Sequence, residues 1–358
     1  MKISVLGAGA GGTAMAFDCA SLGHEVRLFD FPRFPENIAA IAATGGIHAD
    51  GDISGYAETV SAGHDIDEAL LGAELIYVVG PAYSTEPFGD AVAGKLTAGQ
   101  TVIVSPSSCG GALAFKRAAG LAVDDESIRV AETSTLHYAV RLTEPARVRV
   151  FLKLKAGNLL AALPGKYTSD ILSMIADVYP SMEPATSVLQ TSLQNANPII
   201  HPAVTLANAA RIEGTAGDFL FYEEGVSDAT GRLIEALDKE RIAIGSRLGI
   251  EVLPDPVMGV RQGYMLADDY GLAYRQAPGF KGIGAQPQLD HRYLNEDVGY
   301  GLVFMSGLGR QVGVPTPNID AMIRLTSVLM ARDYASESRR TPGTLGIDGL
   351  TVEELRGL

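Results

Sequence analysis

The first thirty residues leave this chain few ways to fold. Lys2-Ile3-Ser4-Val5-Leu6 is a short strand-type run that passes directly into Gly7-Ala8-Gly9-Ala10-Gly11-Gly12, and then into an apolar stretch, Thr13 to Leu22, at helical spacing. Strand, glycine turn and helix in that order open a dinucleotide-binding βαβ unit. Gly7 permits the tight turn, Gly9 and the small Ala10 leave the backbone open to a pyrophosphate, and Gly12 lets the helix lie close on the strand. The free N–H groups and positive dipole end of that helix favour an anion. A second apolar run, Glu25 to Phe29, ends at Asp30, eighteen residues after Gly12. That is close to the ~20 expected of a carboxylate bound to an adenine-ribose hydroxyl. Arg33, just beyond, is of the type that holds a 2′-phosphate, which Asp30 repels. With the acid at the strand end, NAD is favoured and NADP is the alternative. Nicotinamide is favoured over flavin, because no later segment offers an isoalloxazine pocket.

The alternation continues. Asp65 to Leu71 reads as a helix, and Glu74 to Val79 as a buried strand ending at Gly80-Pro81-Ala82, a βα loop placed to line the cofactor crevice. A helix near Thr85 to Leu96, a strand Thr101 to Ser105 and a strand Ile128 to Glu132 follow. The runs Arg147 to Phe151 and Leu159 to Leu163 read as a small mixed extension of the sheet, and Lys166 to Pro180 as one more helix. Near Thr186 the short β-branched runs stop. The clearest later segment is a helix from Ser227 to Leu248, with Asp238, Lys239, Glu240 and Arg241 read as its solvated face. Thr351-Val352-Glu353-Glu354 is a capping box. The fold class is therefore α/β, an N-terminal Rossmann-type doubly wound parallel sheet followed by an all-α C-terminal domain. Residues 1–185 form the cofactor domain and 186–358 the helical substrate domain; 358 residues are enough for two cores.

Lys and Arg total 28 against 42 Asp and Glu, a formal charge of −14, which argues against nucleic acid or an anionic membrane as partner. No signal-type amino terminus and no apolar run of membrane-spanning length is present, so a cytoplasmic location is expected. Cys19 and Cys109 have neither metal-site nor disulfide spacing, and no metal is expected.

A dehydrogenase needs an acid–base group beside the atom that receives hydride, and histidine suits neutral pH. His24, His48 and His64 lie in polar turns. His137 follows a strand and is a candidate for substrate contact. His201 lies in Asn197-Pro198-Ile199-Ile200-His201-Pro202, where the two prolines predict a helix that breaks at Pro198 and restarts after Pro202. A carboxylate on its far nitrogen would fix its tautomer, and Asp290, Glu296 and Asp297 are all candidates by spacing. For Arg292 the alternatives are a substrate carboxylate or an ion pair with Glu296 or Asp297.

Over nearly its whole length the chain resembles the octopine/nopaline (opine) dehydrogenase family, most of all its bacterial N-(1-carboxyethyl)-norvaline dehydrogenase branch. The resemblance rests on Gly7 to Gly12, Cys109-Gly110-Gly111-Ala112-Leu113, Glu132-Thr133-Ser134, and Gln190 through Asn197 to His201-Pro202. Asn208-Ala209-Ala210-Arg211, the Ser227 to Leu248 helix, Arg292-Tyr293 with Glu296-Asp297-Val298, and Val314-Pro315-Thr316-Pro317 extend it. It implies that His201 is the acid–base residue, Asp297 its carboxylate partner, and that Arg292 meets a substrate carboxylate; Asn197 is a further candidate for substrate binding. It further implies a homodimer that joins an α-keto acid to the amino group of an amino acid or amine through an imine, using NAD(P)H. His137 and Ser107-Ser108-Cys109 depart from the family pattern and bear on which amine fits. Two other readings compete. A ketopantoate-type keto-acid reductase would place a lysine where the second domain begins, and none occurs between Thr186 and Asp238. A nicotinamide sensor without turnover would need no His201–Asp297 pair. The stretch Tyr264 to Gly284, rich in glycine and tyrosine, is a candidate lid.

Overall fold

Parallel strands covered by helices on both faces are buried on both faces, as residues 3–6, Leu75–Val78 and Thr101–Val104 of the first unit are. The computed structural model describes residues 1–358. Its strands are β1 (Lys2–Leu6), β2 (Glu25–Phe29), β3 (Gly46–Gly51), β4 (Gly55–Glu58), β5 (Ser61–Gly63), β6 (Leu75–Val78), β7 (Thr101–Val104), β8 (Arg129–Thr133), β9 (Tyr138–Glu144), β10 (Arg147–Lys153), β11 (Asn158–Leu163) and β12 (Met182–Pro184). The main sheet has the order β12-β11-β8-β7-β6-β1-β2-β5. Its strands run parallel from β8 to β5, whereas β11 is antiparallel to β8 and parallel to β12. The chain leaves β1 in one direction to β2 and later returns to its other side at β6, so the carboxyl ends of β1 and β6 flank the point where the winding reverses.

The extension expected at 147–163 divides differently. β11 closes the main sheet, but β10 belongs to a separate sheet, β4-β3-β10-β9. The β3–β4 hairpin lies in a stretch of Gly, Ser and Asp that reads as turns. The first helix, Ala10–Ser21, packs against strands of both sheets, which explains why it is buried from Gly12 to Cys19 without one polar face. The helix expected over Lys166 to Pro180 is shorter, Thr168–Met174.

The chain separates into two compact units, residues 1–107 with 111–191, and 108–110 with 192–358. The boundary expected at 185/186 falls at 191/192, and residues 108–110 also belong to the second unit. The second unit is helical around one long helix, Asp228–Leu248, started by Ser227, whose hydroxyl accepts from the Thr230 N–H, and stopped by Gly249. Of its expected solvated face only Lys239 is exposed. Asp238 and Arg241 are fully buried and Glu240 nearly so, because each finds partners inside. Arg241 Nε donates to Asp238 at 2.6 Å and its amino groups to the carbonyls of Leu193 and Leu253. Glu240 accepts the N–H groups of Asn318 and Ile319 at the start of the Pro317–Leu329 helix, satisfying donors that a helix start leaves open. The capping box forms, with Thr351 and Glu354 bonding reciprocally at the start of Val352–Arg356. No helix is long and apolar enough to cross a membrane.

Candidate active site

In the first unit the glycine turn forms as the spacing predicts. Gly7 has φ +113°, and a Cβ there would lie 2.0 Å from the Val79 carbonyl oxygen. At Gly12 a Cβ would meet the Gly7 oxygen at 1.8 Å, so both positions exclude a side chain. Gly9 is the reverse case, since a Cβ would meet nothing within 4 Å. The backbone there faces open space, and the following helix has no side-chain N-cap to occupy its N–H groups. A cleft of ≈ 570 Å³ opens at this point, lined by Gly7, Gly9, Asp30, Arg33 and Pro81 among others. Its shape and donors fit a dinucleotide pyrophosphate.

Asp30 is buried at the strand end, where Oδ2 accepts from the Ala8 N–H and Oδ1 from the Phe31 N–H, both at 2.8 Å. Burial pushes its carboxyl up, against the pull of these two donors and of Arg33. The Arg33 guanidinium lies over the rings of Phe31 and Phe34, at 4.6 and 5.0 Å from their centroids. Ala82 is buried and does not line the cleft. Asn37, which the sequence reading missed, braces the turn by donating to the Ala8 carbonyl at 2.6 Å and to Thr13 Oγ1 at 2.9 Å. A single Asn in a following helix carries no signal for this.

In the second unit Asn197–Ala207 is one helix, not two. Pro198 sits in its first turn, where the missing N–H costs nothing, and Pro202 is accommodated inside it. His201 therefore projects from a continuous helix with Asn197, which is exposed, one turn before it on the same side. The facing segment is Arg292–Asn295, then a π-helical turn Asp297–Leu302, then helix Val303–Val312. The two come close at Gly301, where a Cβ would lie 2.2 Å from Pro198 Cγ. One turn along each segment from that contact, His201 Nδ1 meets Asp297 Oδ2 at 2.7 Å, both side chains about nine-tenths buried.

The other two carboxylates go elsewhere. Asp290 accepts from Asn295 at 2.7 Å, and Glu296 takes Arg292 through Nε and a terminal nitrogen, each at 2.9 Å. Ser108, carried into this unit by the loop 108–110, donates to the other Glu296 oxygen at 3.3 Å. Arg292 is thus in the ion pair that was one of its two alternatives, with its side chain half exposed.

Two tyrosines that the sequence reading did not single out complete the surroundings. Tyr293 stacks on the His201 ring at 4.0 Å and 22°, and the Tyr222 hydroxyl lies 3.0 Å from His201 Nε2. Tyr222 stacks on Phe280 at 4.2 Å, and Phe280 in turn on Tyr264, so the candidate lid meets the histidine through rings.

His137 is placed in the interior of the first unit, 1% exposed, against Tyr138 and Tyr179. Asn158 lies at its Nδ1, and burial with the nearby Lys153 charge drives its pKa down to about 3. The ring has no face open to a substrate, which corrects the expectation of contact there. A larger cavity of ≈ 760 Å³ in the second unit, lined by Ser306, Arg310, Asp320 and Arg324, includes neither His201 nor Asp297. No group of His, Cys, Asp and Glu is arranged to hold a metal.

The family model described as NAD/NADP octopine/nopaline dehydrogenase, alpha-helical domain, matches residues 184–330, and that of the NAD-dependent glycerol-3-phosphate dehydrogenase N-terminus matches residues 2–108. An opine dehydrogenase of Arthrobacter sp. (strain 1C) is 35% identical over 356 residues, 99% of this chain and 97% of the relative. The fold is that of octopine dehydrogenase. Its complex with NADH and agmatine superposes with a TM-score of 0.83 at 20% identity, covering 100% of this chain and 98% of that one. Its complex with NADH and pyruvate gives 0.80 at 21% identity, with the same coverage.

Proposed function

The chain belongs to the octopine/nopaline (opine) dehydrogenase family, and from that premise we propose that it reduces the imine formed between an α-keto acid and the amino group of an amino acid or amine, with His201 as acid–base and Asp297 as its partner. It is an NAD(P)-dependent oxidoreductase acting on CH–NH donors. The observation that carries the residue assignment is the buried 2.7 Å contact between His201 Nδ1 and Asp297 Oδ2.

A carboxylate only accepts hydrogen bonds, so the Nδ1 proton stays on the ring and Nε2 is the nitrogen that gains and loses one. Condensation of the carbonyl with the amine releases water; reduction then adds one hydride and one proton across C=N to give a secondary amine. The bound nicotinamide supplies the hydride. In the second unit His201 holds the proton exchanged at nitrogen, and Asp297 stabilises the charged ring while it does so. The half-exposed Arg292, oriented by Glu296, is the group proposed to meet a substrate carboxylate, and Asn197 adds a polar group on the His201 face of its helix. The pyruvate and agmatine bound to octopine dehydrogenase are of the two reactant classes this requires. NAD is the proposed preference because Asp30, at the end of β2, would repel a 2′-phosphate.

The test follows NADH oxidation with pyruvate and other α-keto acids, with and without a panel of amino acids and amines, and identifies the product by mass. Amine-dependent oxidation giving a secondary-amine carboxylate is expected; amine-independent oxidation would move the reading to a keto-acid reductase. His201→Ala should retain NADH binding and lose about 10²–10⁴ in turnover. Wild-type turnover in that variant would refute the assignment.

A further inference from the structure

The nitrogen that must exchange the proton is already occupied. Tyr222 Oη lies 3.0 Å from His201 Nε2, and the phenol ring that carries it is held in place. Phe280 stacks on it at 4.2 Å and 13°, and Phe221 meets it edge-on at 5.0 Å. Tyr222 is 4% exposed, so water does not compete for the hydroxyl. The direction of the bond follows from the other end of the ring. Because Nδ1 keeps its proton for Asp297, the neutral imidazole offers only a lone pair at Nε2, and the Tyr222 O–H must donate to it.

From this we infer that Tyr222 is a positioning residue that sets the proton affinity of His201, acting through Nε2 in opposition to Asp297 at Nδ1. A donor to the lone pair stabilises neutral imidazole; a carboxylate at Nδ1 stabilises imidazolium. The two partners fix the ring at both of its nitrogens. When His201 is protonated, Nε2–H has two possible acceptors, the Tyr222 oxygen and the substrate nitrogen. The hydroxyl therefore also competes with the substrate for the proton, and the Phe280 stack keeps it from leaving. The phenol stays neutral throughout, since burial, with Tyr293 and Asp297 nearby, drives its pKa well above the usual tyrosine value.

The other titratable groups around His201 are Tyr293, stacked on its ring, and His291 and Asp255, which interact with it electrostatically. Arg292 acts on His291, and Glu296 is paired with Arg292. Asp297 bonds at Nδ1 and Tyr222 at Nε2, so removing the Tyr222 hydroxyl takes away one side-chain bond to the ring and leaves the other.

The inference rests on the proposed acid–base role of His201, and its test separates the two. Tyr222→Phe keeps the ring and its stack and removes only the oxygen. Imidazole NMR titration of His201, assigned by comparison with His201→Ala, should show a pKa raised by about 0.5–1 unit, the equivalent of one neutral hydrogen bond. Replacing Tyr222 by 3,5-difluorotyrosine, a stronger donor, should move it the opposite way. The basic limb of the pH–rate profile for keto-acid and amine reduction should shift with the NMR value. An unchanged His201 pKa in Tyr222→Phe, or a fall, would overturn the inference, because either would mean that the bond the charged ring gives to the Tyr222 oxygen equals or exceeds the one the neutral ring accepts. If the NMR shift appears while His201→Ala keeps full turnover, the catalytic reading fails and the coupling stands.

Discussion

The contact between Pro198 and Gly301 determines how close His201 comes to Asp297, and Gly301→Ala tests this directly. The added Cβ would lie 2.2 Å from Pro198 Cγ and 2.5 Å from Pro198 Cβ. Carbons settle at about 3.5–4.0 Å, so the segments must part by roughly 1.3 Å or more at this point. The proline ring cannot rotate away as a flexible side chain would. His201 and Asp297 each lie within one turn of the contact, so most of the separation passes to their 2.7 Å hydrogen bond, which would lengthen beyond bonding range. Overpacking costs about 1–3 kcal/mol, and replacing a helical glycine returns about 1 kcal/mol. The net loss of about 0–2 kcal/mol lowers Tm by no more than about 8 °C, leaving the protein folded at assay temperature. Turnover should nevertheless fall about 10²-fold, the usual consequence of misplacing a catalytic group by about 1 Å. NADH binding, read by fluorescence, should not change, because the cofactor cleft lies in the other unit. Gly299→Ala is the control: its Cβ would meet the Tyr334 ring at 3.2 Å, a contact the ring can relieve, and about threefold loss is the most expected there. Turnover in folded Gly301→Ala within about threefold of wild type would refute the reasoning.

Asp297→Asn should lower turnover by about 10²–10⁴ while Tm changes little, because an amide that donates to Nδ1 selects the wrong tautomer; single-turnover NADH oxidation checks it. Asp30→Ala should narrow the gap between NADH and NADPH in kcat/KM, and should weaken both by leaving the Ala8 N–H unpaired, as titration with each cofactor would show. His137→Leu should leave KM for both substrates unchanged, since the ring is enclosed in the other unit; a raised KM would restore it as a substrate contact. Burial, with the like charge of Asp238 beside it, pushes Asp255 up to about 6. A carboxyl with a folded-state pKa above its unfolded value contributes stability that is complete below about pH 4 and is lost as pH rises through about 6. Asp255→Asn should therefore gain in Tm over the wild type as pH goes from 4 to 7, and a constant difference across that range would contradict the assignment.

The cofactor half of the molecule is legible because its signals are local. Gly7, Gly12 and Asp30 lie within thirty residues, and Gly12 and Asp30 make their contacts within that one βαβ unit. The small sheet was not legible, because β3 pairs with β10 across about a hundred residues and its Gly-, Ser- and Asp-rich hairpin has the composition of a turn. The misplaced solvated face of the Asp228–Leu248 helix has the same origin. Four consecutive charged residues read as exposed, and only tertiary partners, the carbonyls of Leu193 and Leu253 and the N–H groups of Asn318 and Ile319, make burial of three of them tolerable.

The choice among Asp290, Glu296 and Asp297 shows where spacing stops being informative. Arg292 and Glu296 are four apart on one helical face, so their pairing follows from helix geometry alone. That pairing removes Glu296 as a partner for His201 and turns the next residue, Asp297, about 100° away. Which neighbour Asp297 meets there depends on the π turn that begins at it and on the helix seated against Gly301. Neither is written in the local pattern, and Tyr222, 21 residues from His201, approaches it from a third segment. The acid–base group is therefore tuned by residues that only the packing of separate segments brings together. For that reason Gly301→Ala and Tyr222→Phe, which leave His201 and Asp297 untouched, are expected to act on the chemistry through them.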